Sequence, residues 1–238
     1  MRQFAFPGHR IGYTGSTCYR TLVRTSDAEK INGLLPKGIT FWHGTDKKWV
    51  YTCPLAGNDW EITCAIKEDG GENRSSWGKQ ASVQHFTDVF AEMCQPIREL
   101  FKLVTYVEQY DYFAGPRLES VVRAQQGIVL IGDASHPLSG AFGAGAGFAL
   151  EDAYVLAGAV EWAVNSEKGL PDALEMFDDV RSPHYKALYE VLDRFAAAEE
   201  ELSKRKRSPD DEIRERIKRN WGVSNDWMQF YRVRSFHS

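Results

Sequence analysis

The residues best placed for chemistry lie within positions 127–153, GIVLIGDASHPLSGAFGAGAGFALEDA. Asp133 follows a short, β-branched apolar run at 128–131 and then Gly132, which puts its carboxylate at the C-terminal end of a strand buried on both faces. Gly140, Gly143, Gly145 and Gly147 allow positive φ and a close backbone approach to a ligand. Residues 145–163, apolar and rich in alanine, read as a buried helix whose N-terminus faces that ligand. A helix N-terminus carries roughly half a positive charge and several free N–H groups, so it stabilises an anion or a group that becomes one. A carboxylate beside it accepts hydrogen bonds from a polyol. Strand, acid, glycine loop and helix therefore read as one site.

These residues resemble the second FAD motif of the class A FAD-dependent monooxygenases, the aromatic-ring hydroxylases that include salicylate hydroxylase. That motif runs G-D-A-A-H, then a glycine-rich turn, then E-D-A. Gly132, Asp133, Ala134, Ser135 and His136 match it, as do Gly143, Gly145, Glu151, Asp152 and Ala153, with Ser135 replacing the second alanine. The resemblance implies that Gly132, Asp133, Gly143, Ala144, Gly145 and Ala146 bind the cofactor FAD. It also implies NAD(P)H and O2 as co-substrates and the hydroxylation of a small aromatic acid or phenol. A GxGxxG turn starting at Gly143 would need glycine at Phe148, and the Gly-Lys-Ser/Thr of a P-loop is absent. His136 reads as a hydrogen-bonding residue of the turn, and no catalytic residue is assigned. The family carries a proline a few residues after that histidine; here Pro137 is present but Gly140 occupies the later place.

The family's first FAD-binding element is a βαβ unit whose GxGxxG turn receives the pyrophosphate. Residues 1–126 contain no such pattern. Tyr13, Thr14, Gly15, Tyr19 and Arg20 resemble a later family segment, which places the D-G motif that precedes it before Met1. The expectation is an α+β fold: an antiparallel substrate-type sheet beside an incomplete three-layer FAD-binding domain, with C-terminal helices. Residues 1–115 form the sheet and helix region, 116–163 the FAD-motif segment and 164–238 the helical region. Such a chain should bind FAD weakly, and the edge of its 128–131 strand should be exposed or covered by another segment. The alternative is a non-redox homologue that serves as a small-molecule binding module or a flavin-free isomerase.

At 43% hydrophobic and 13% aromatic, the 238 residues can bury a sizeable core. A net charge of −4 gives no reason to expect nucleic acid or an anionic membrane as partner. The N-terminus lacks a signal-peptide core and no run of about 18 apolar residues occurs, so a cytoplasmic location is expected. Cys18, Cys53, Cys64 and Cys94 are spread without metal-ligand spacing and read as reduced thiols.

Strands are expected at 17–24, 39–43, 48–53 and 60–66 as an antiparallel meander, with another at 105–113. Alternation at 60–67 points Trp60, Ile62, Cys64 and Ile66 to a core and their neighbours to solvent. Helices are expected at 82–93 and 97–103, separated by Pro96. Tyr13, Tyr19, Phe41, Trp42, Trp49, Tyr51 and Trp60 could wall a substrate pocket or simply pack. Arg20 and Arg24 could pair a substrate carboxylate or form surface ion pairs. Beyond 163 the chain reads as helical, with Pro171 in a first turn, a break or kink at Ser182-Pro183, and a basic run at 204–207 that reads as a solvated helix end or, alternatively, a nuclear-localisation or anion-binding patch. One more helix is expected at 209–219, then a Trp-containing tail at Trp221 and Trp227.

Overall fold

The computed structural model describes residues 2–31, 38–68, 74, 78–138, 143–204 and 208–221. The chain divides into two compact units, one of residues 13–113 and one of residues 1–12 with 114–238.

A one-turn helix, α1 (Arg2–Ala5), opens the chain and belongs to the second of these units. The first unit begins with a long strand, β1 (Gly12–Arg24), and a short helix, α2 (Thr25–Ala28). Strands β2 (Thr40–His43), β3 (Trp49–Pro54), β4 (Asp59–Lys67) and β5 (Lys79–Gln80) follow. Helices α3 (Val83–Val89) and α4 (Gln95–Phe101) then lead to β6 (Glu108–Ala114). The six strands make one sheet in the order β2-β3-β4-β1-β6-β5. Only β2, β3 and β4 form a meander; β1 inserts between β4 and β6, so the simple meander is corrected. Pro96 lies inside the first turn of α4, where a missing N–H costs nothing, and the break falls before it at Cys94.

The core of this unit lies on one face of the sheet. Tyr19, Trp60, Ile62 and Cys64 pack there with Phe86, Phe90, Ile97 and Phe101 from the helices. The expected alternation in β4 is right for that face but not for the other, since Glu61 and Ala65 are also buried. Their cross-strand neighbours account for it. Ala65 is opposite Cys18 in register, and Glu61 is paired with Arg20 at 2.6 Å while accepting a bond from Thr63. The candidate pocket aromatics divide accordingly. Tyr19 and Trp60 are core, Trp42 packs against the core, and Phe41, Trp49 and Tyr51 share the opposite face. Arg20 forms the ion pair that was one of its two readings.

The second unit contains α1, a two-stranded ladder of β7 (Val122–Arg123) and β8 (Ile128–Val129), and helices α5 (Gly145–Asn165), α6 (Leu170–Ser203) and α7 (Pro209–Trp221). Here the buried strand at 128–131 is corrected. β8 is two residues long, both half-buried; only Leu130 is buried, and Ile131 is 38% exposed. Among the described residues β8 has a strand partner on one edge alone, β7. The buried helix is corrected in the same sense. Phe148, Val155 and Ala159 of α5 pack with Leu174, Phe177 and Leu188 of α6, while Leu150 and Tyr154 stand exposed.

α6 runs through Pro183 without the expected break. An interior proline costs about 3 kcal/mol, but Arg181, His184 and Tyr185 are tied to α5 on both sides of it, which holds the helix continuous. Pro171 sits in the first turn of α6 as expected, and α7 covers the expected 209–219. Gly140, Arg205, Lys206, Arg207 and Trp227 lie outside the described residues. No helix among the described residues is long and apolar enough to cross a membrane, and no cluster of three metal-ligating side chains occurs among them.

Candidate flavin site

The turn after β8 is a 3-10 turn over Gly132–Ala134, and its shape depends on glycine. Gly132 has φ of 55°, and a Cβ there would meet the Ala149 Cβ at 3.3 Å. The positive φ strains any L side chain, and the contact would force Ala149 to give way by a few tenths of an ångström. Asp152 of α5 fixes this turn from beneath. One oxygen of its fully buried carboxylate accepts from the Gly132 N–H at 2.8 Å and from His136 Nε2 at 2.8 Å. The other accepts from Arg181 Nε at 2.8 Å and the Tyr185 hydroxyl at 2.5 Å.

Four donors on one carboxylate set its protonation. Burial pushes the Asp152 carboxyl up, but hydrogen bonds from His136, Tyr185 and the Gly132 N–H outweigh it and hold it below the usual range. Glu151 goes the other way. Burial, helped by the neighbouring Asp152 charge, raises it although Arg181 Nη1 lies 2.7 Å away. Burial and the Arg181 charge lower His184 to about 4, so it is neutral at pH 7. His136 serves the turn, as its motif position suggested. Its Nδ1 is buried and has no partner among the described residues.

Above the turn the surroundings change character. Asp133 is exposed, and its Oδ1 lies 3.8 Å from where a Cβ on Gly145 would stand, at the N-terminus of α5. This helix has 21 residues, with Ala144 as N-cap, no side-chain cap bond and no acid in its first turn. Neither its N-cap nor its first turn supplies a side-chain acceptor, and its first N–H groups present the positive end of the helix dipole. Gly143 has φ of 64°, and a Cβ there or on Gly147 would meet no heavy atom within 4 Å. Gly143 and Ala146 are exposed, Ala144 and Gly145 are half-buried, and the structure brings Gly132 and Asp133 to the start of α5 beside these four residues. An exposed carboxylate, an uncapped helix end and an open backbone floor fit a ligand that combines a polyol with a ring able to carry negative charge.

Some residues that build the site were given no role from sequence. Arg2 Nε donates to the Ala134 carbonyl at 2.7 Å, and its guanidinium also reaches the Asp133 carbonyl, which braces the turn from α1. A lone arginine in a terminal segment carries no signal of this. For Arg181, His184 and Tyr185 a signal existed: three polar residues on adjacent turns of a helix face that otherwise packs apolar side chains. Asp152 was visible only as part of the E-D-A match.

No protein-family model matches the chain. Over 215 residues it is 32% identical to a salicylate hydroxylase of Pseudomonas putida, an alignment covering 80% of this chain and 48% of that protein. A FAD-dependent monooxygenase of Stachybotrys chartarum is 27% identical over 180 residues, covering 71% of this chain and 38% of that one. Among solved structures, a salicylate hydroxylase substrate complex matches with a TM-score of 0.67 at 20% identity, covering 95% of this chain and 59% of that one. The chain thus spans about half the length of the curated relatives it matches. By sequence and fold it belongs to the salicylate-hydroxylase-like FAD-dependent monooxygenases.

Proposed function

We propose that Gly132, Asp133, Gly143, Ala144, Gly145 and Ala146 hold the flavin and ribityl portion of FAD in an aromatic-ring hydroxylase. In that reading NAD(P)H is the reductant, O2 supplies the oxygen atom and the substrate is a phenol or aromatic acid of salicylate type. The observation that carries the reading is the exposed Asp133 carboxylate beside the uncapped N-terminus of α5. FAD, when bound, supplies the redox and oxygen chemistry. The protein's share is to accept a ribityl hydroxyl at Asp133, to stabilise negative charge with the first N–H groups of α5, and to keep the turn rigid through Asp152. Phe41, Trp49 and Tyr51, on the sheet face opposite the helices, are the candidates for a wall against an aromatic ring.

The AMP half of FAD finds no GxGxxG turn in these residues, so FAD at micromolar concentration is expected to leave the 238-residue chain mostly empty. Isothermal titration with FAD tests this together with Asp133→Ala. Removing the acceptor forfeits about 1.5–3 kcal/mol, a tenfold to hundredfold weakening. Nanomolar binding by the unmodified chain, or measurable binding that Asp133→Ala leaves unchanged, contradicts the placement. A chain that takes up an aromatic acid and never turns yellow with flavin is the non-redox module instead.

A further inference from the structure

The sheet face opposite the helices carries charge as well as rings. Phe41 of β2 has its ring centroid 6.0 Å from Trp49 and 5.2 Å from Tyr51 of β3, and on the other side of the sheet Tyr110 and Tyr112 come from β6. The Tyr112 hydroxyl is bonded to Cys18, so these β6 rings share the face of Cys18. The strands between, β4 and β1, supply small side chains. Thr63 is opposite both Tyr51 and Arg20, and Ala65 is opposite both Trp49 and Cys18. Two rows of rings thus flank a strip about 10 Å across, the width of two strands, which suits one aromatic ring.

One cation stands in that strip, and it is already answered. Arg20 Nη2 lies 2.6 Å from Glu61, whose side chain is 11% exposed and also accepts from Thr63 at 3.0 Å. Glu108, partly exposed at the start of β6, accepts from the Tyr106 hydroxyl at 2.8 Å on one oxygen and from the Tyr110 hydroxyl on the other. Those two bonds, and after them the Arg20 charge, hold its carboxyl below the usual range, so it is ionised at pH 7. Two carboxylates around one guanidinium leave a negative charge. The other cations that alternation puts on this face, Arg24 and Lys67, stand at opposite ends of the β1–β4 register, opposite Asp59 and Ser16. Each is about 13 Å along the strand from the Arg20–Thr63 pair.

We propose that this face selects a phenol carrying an ammonium group and rejects aromatic carboxylates, with Glu108 accepting from the ammonium while Glu61 keeps Arg20 closed to anions. The proposal rests on the reading of this face as the substrate wall and narrows that reading to one class. A ligand carboxylate would have to displace Glu61 from Arg20 and leave it unpaired and mostly buried, which is costly. An ammonium meets no such obstacle. Each oxygen of Glu108 keeps a second lone pair for one more donor, and the flanking rings add cation–π attraction.

Amide chemical shifts of the 238-residue chain, titrated at pH 7 to millimolar ligand, test this without any flavin. The probes are phenols of similar size: tyramine ends in an ammonium, tyrosol in a hydroxyl and 3-(4-hydroxyphenyl)propionate in a carboxylate, with salicylate as a second acid. Tyramine should shift Tyr51, Thr63, Ala65 and Tyr110 and bind about tenfold more tightly than tyrosol, and both acids should bind more weakly than tyrosol. Glu108→Gln should erase the preference for tyramine over tyrosol while the thermal midpoint stays put. Glu61→Gln frees Arg20 and should strengthen propionate binding about tenfold. If that variant fails to fold, the Glu108→Gln comparison decides alone. An acid that binds as tightly as tyramine, with shifts at these four residues, overturns the selectivity and leaves the substrate wall in place. A preference for tyramine that survives Glu108→Gln overturns the proposal as well. Shifts from no ligand at this face overturn the wall and the selectivity together.

Discussion

Each unit is organised about a buried hub, and the two hubs are chemical opposites. In residues 13–113 it is Phe86, fully buried, with its ring centroid 4.7 Å from Phe101, 5.5 Å from Phe90 and 5.7 Å from Tyr19. In the other unit it is Asp152, equally buried, which accepts from a backbone amide, a histidine, an arginine and a tyrosine. Dispersion contacts are many, weak and forgiving of shape. Four directional bonds to one charge are few, strong and indivisible, and a partner left behind keeps its full desolvation penalty. The difference suits what each hub holds. The aromatic cluster keeps a sheet flat against helices, whereas Asp152 must hold one glycine turn at one position.

The sharpest way to break this comparison is a near-isosteric change at each hub. Asp152→Asn keeps the shape but breaks the buried Arg181–Asp152 ion pair and leaves Arg181 with Glu151 alone, and should lower the stability of its unit by about 3–5 kcal/mol. Native-state hydrogen exchange reads the two units separately, and amides of α5 and α6 should lose protection while those of β4 keep theirs. An effect below about 1 kcal/mol would mean that the hub is not a unit.

The next effect depends on pH. His184 has its pKa lowered to about 4 in the folded chain against 6.5 when free. Between those values the unfolded chain binds more protons, so the His184 contribution is complete above pH 6.5 and is lost as pH falls toward 4. It amounts to about 3 kcal/mol at most. Urea unfolding at pH 7.5 and pH 4.5 should show the loss, and His184→Gln should flatten that window. A profile unchanged by the substitution contradicts a neutral, buried imidazole.

The smallest effect is expected at the aromatic hub. Phe86→Leu should cost only about 1–2 kcal/mol, because neighbouring rings can close part of the gap. A loss as large as that of Asp152→Asn would erase the distinction between the two hubs.

Legibility in the sequence followed the same division. Period-two alternation marked Trp60, Ile62 and Cys64 as core, because one-sided burial leaves a regular trace. The length of the motif revealed the Gly132-Asp133 turn and the α5 N-terminus. What stayed hidden was tertiary. Arg2 and Arg181 reach the turn or its support from 131 and 29 residues away, and no local pattern encodes such a contact. The run at 128–131 has the composition of a strand buried on both sides, yet among the described residues it pairs along one edge alone and only Leu130 is buried. Composition records the environment a segment is suited to, which is why Ile131 and the outer face of α5 read as interior and stand exposed.

The central claim, that Asp133 and the α5 N-terminus form the flavin site, is tested most directly by amide chemical shifts. FMN carries the ring and ribityl chain without the AMP half, so it addresses only the contacts these residues can make. In the 238-residue chain titrated to millimolar FMN, the largest shifts are expected at Gly132, Asp133, Gly145 and Ala146, and Asp133→Ala should diminish them. Shifts confined to other residues, or the same pattern surviving in Asp133→Ala, would contradict it.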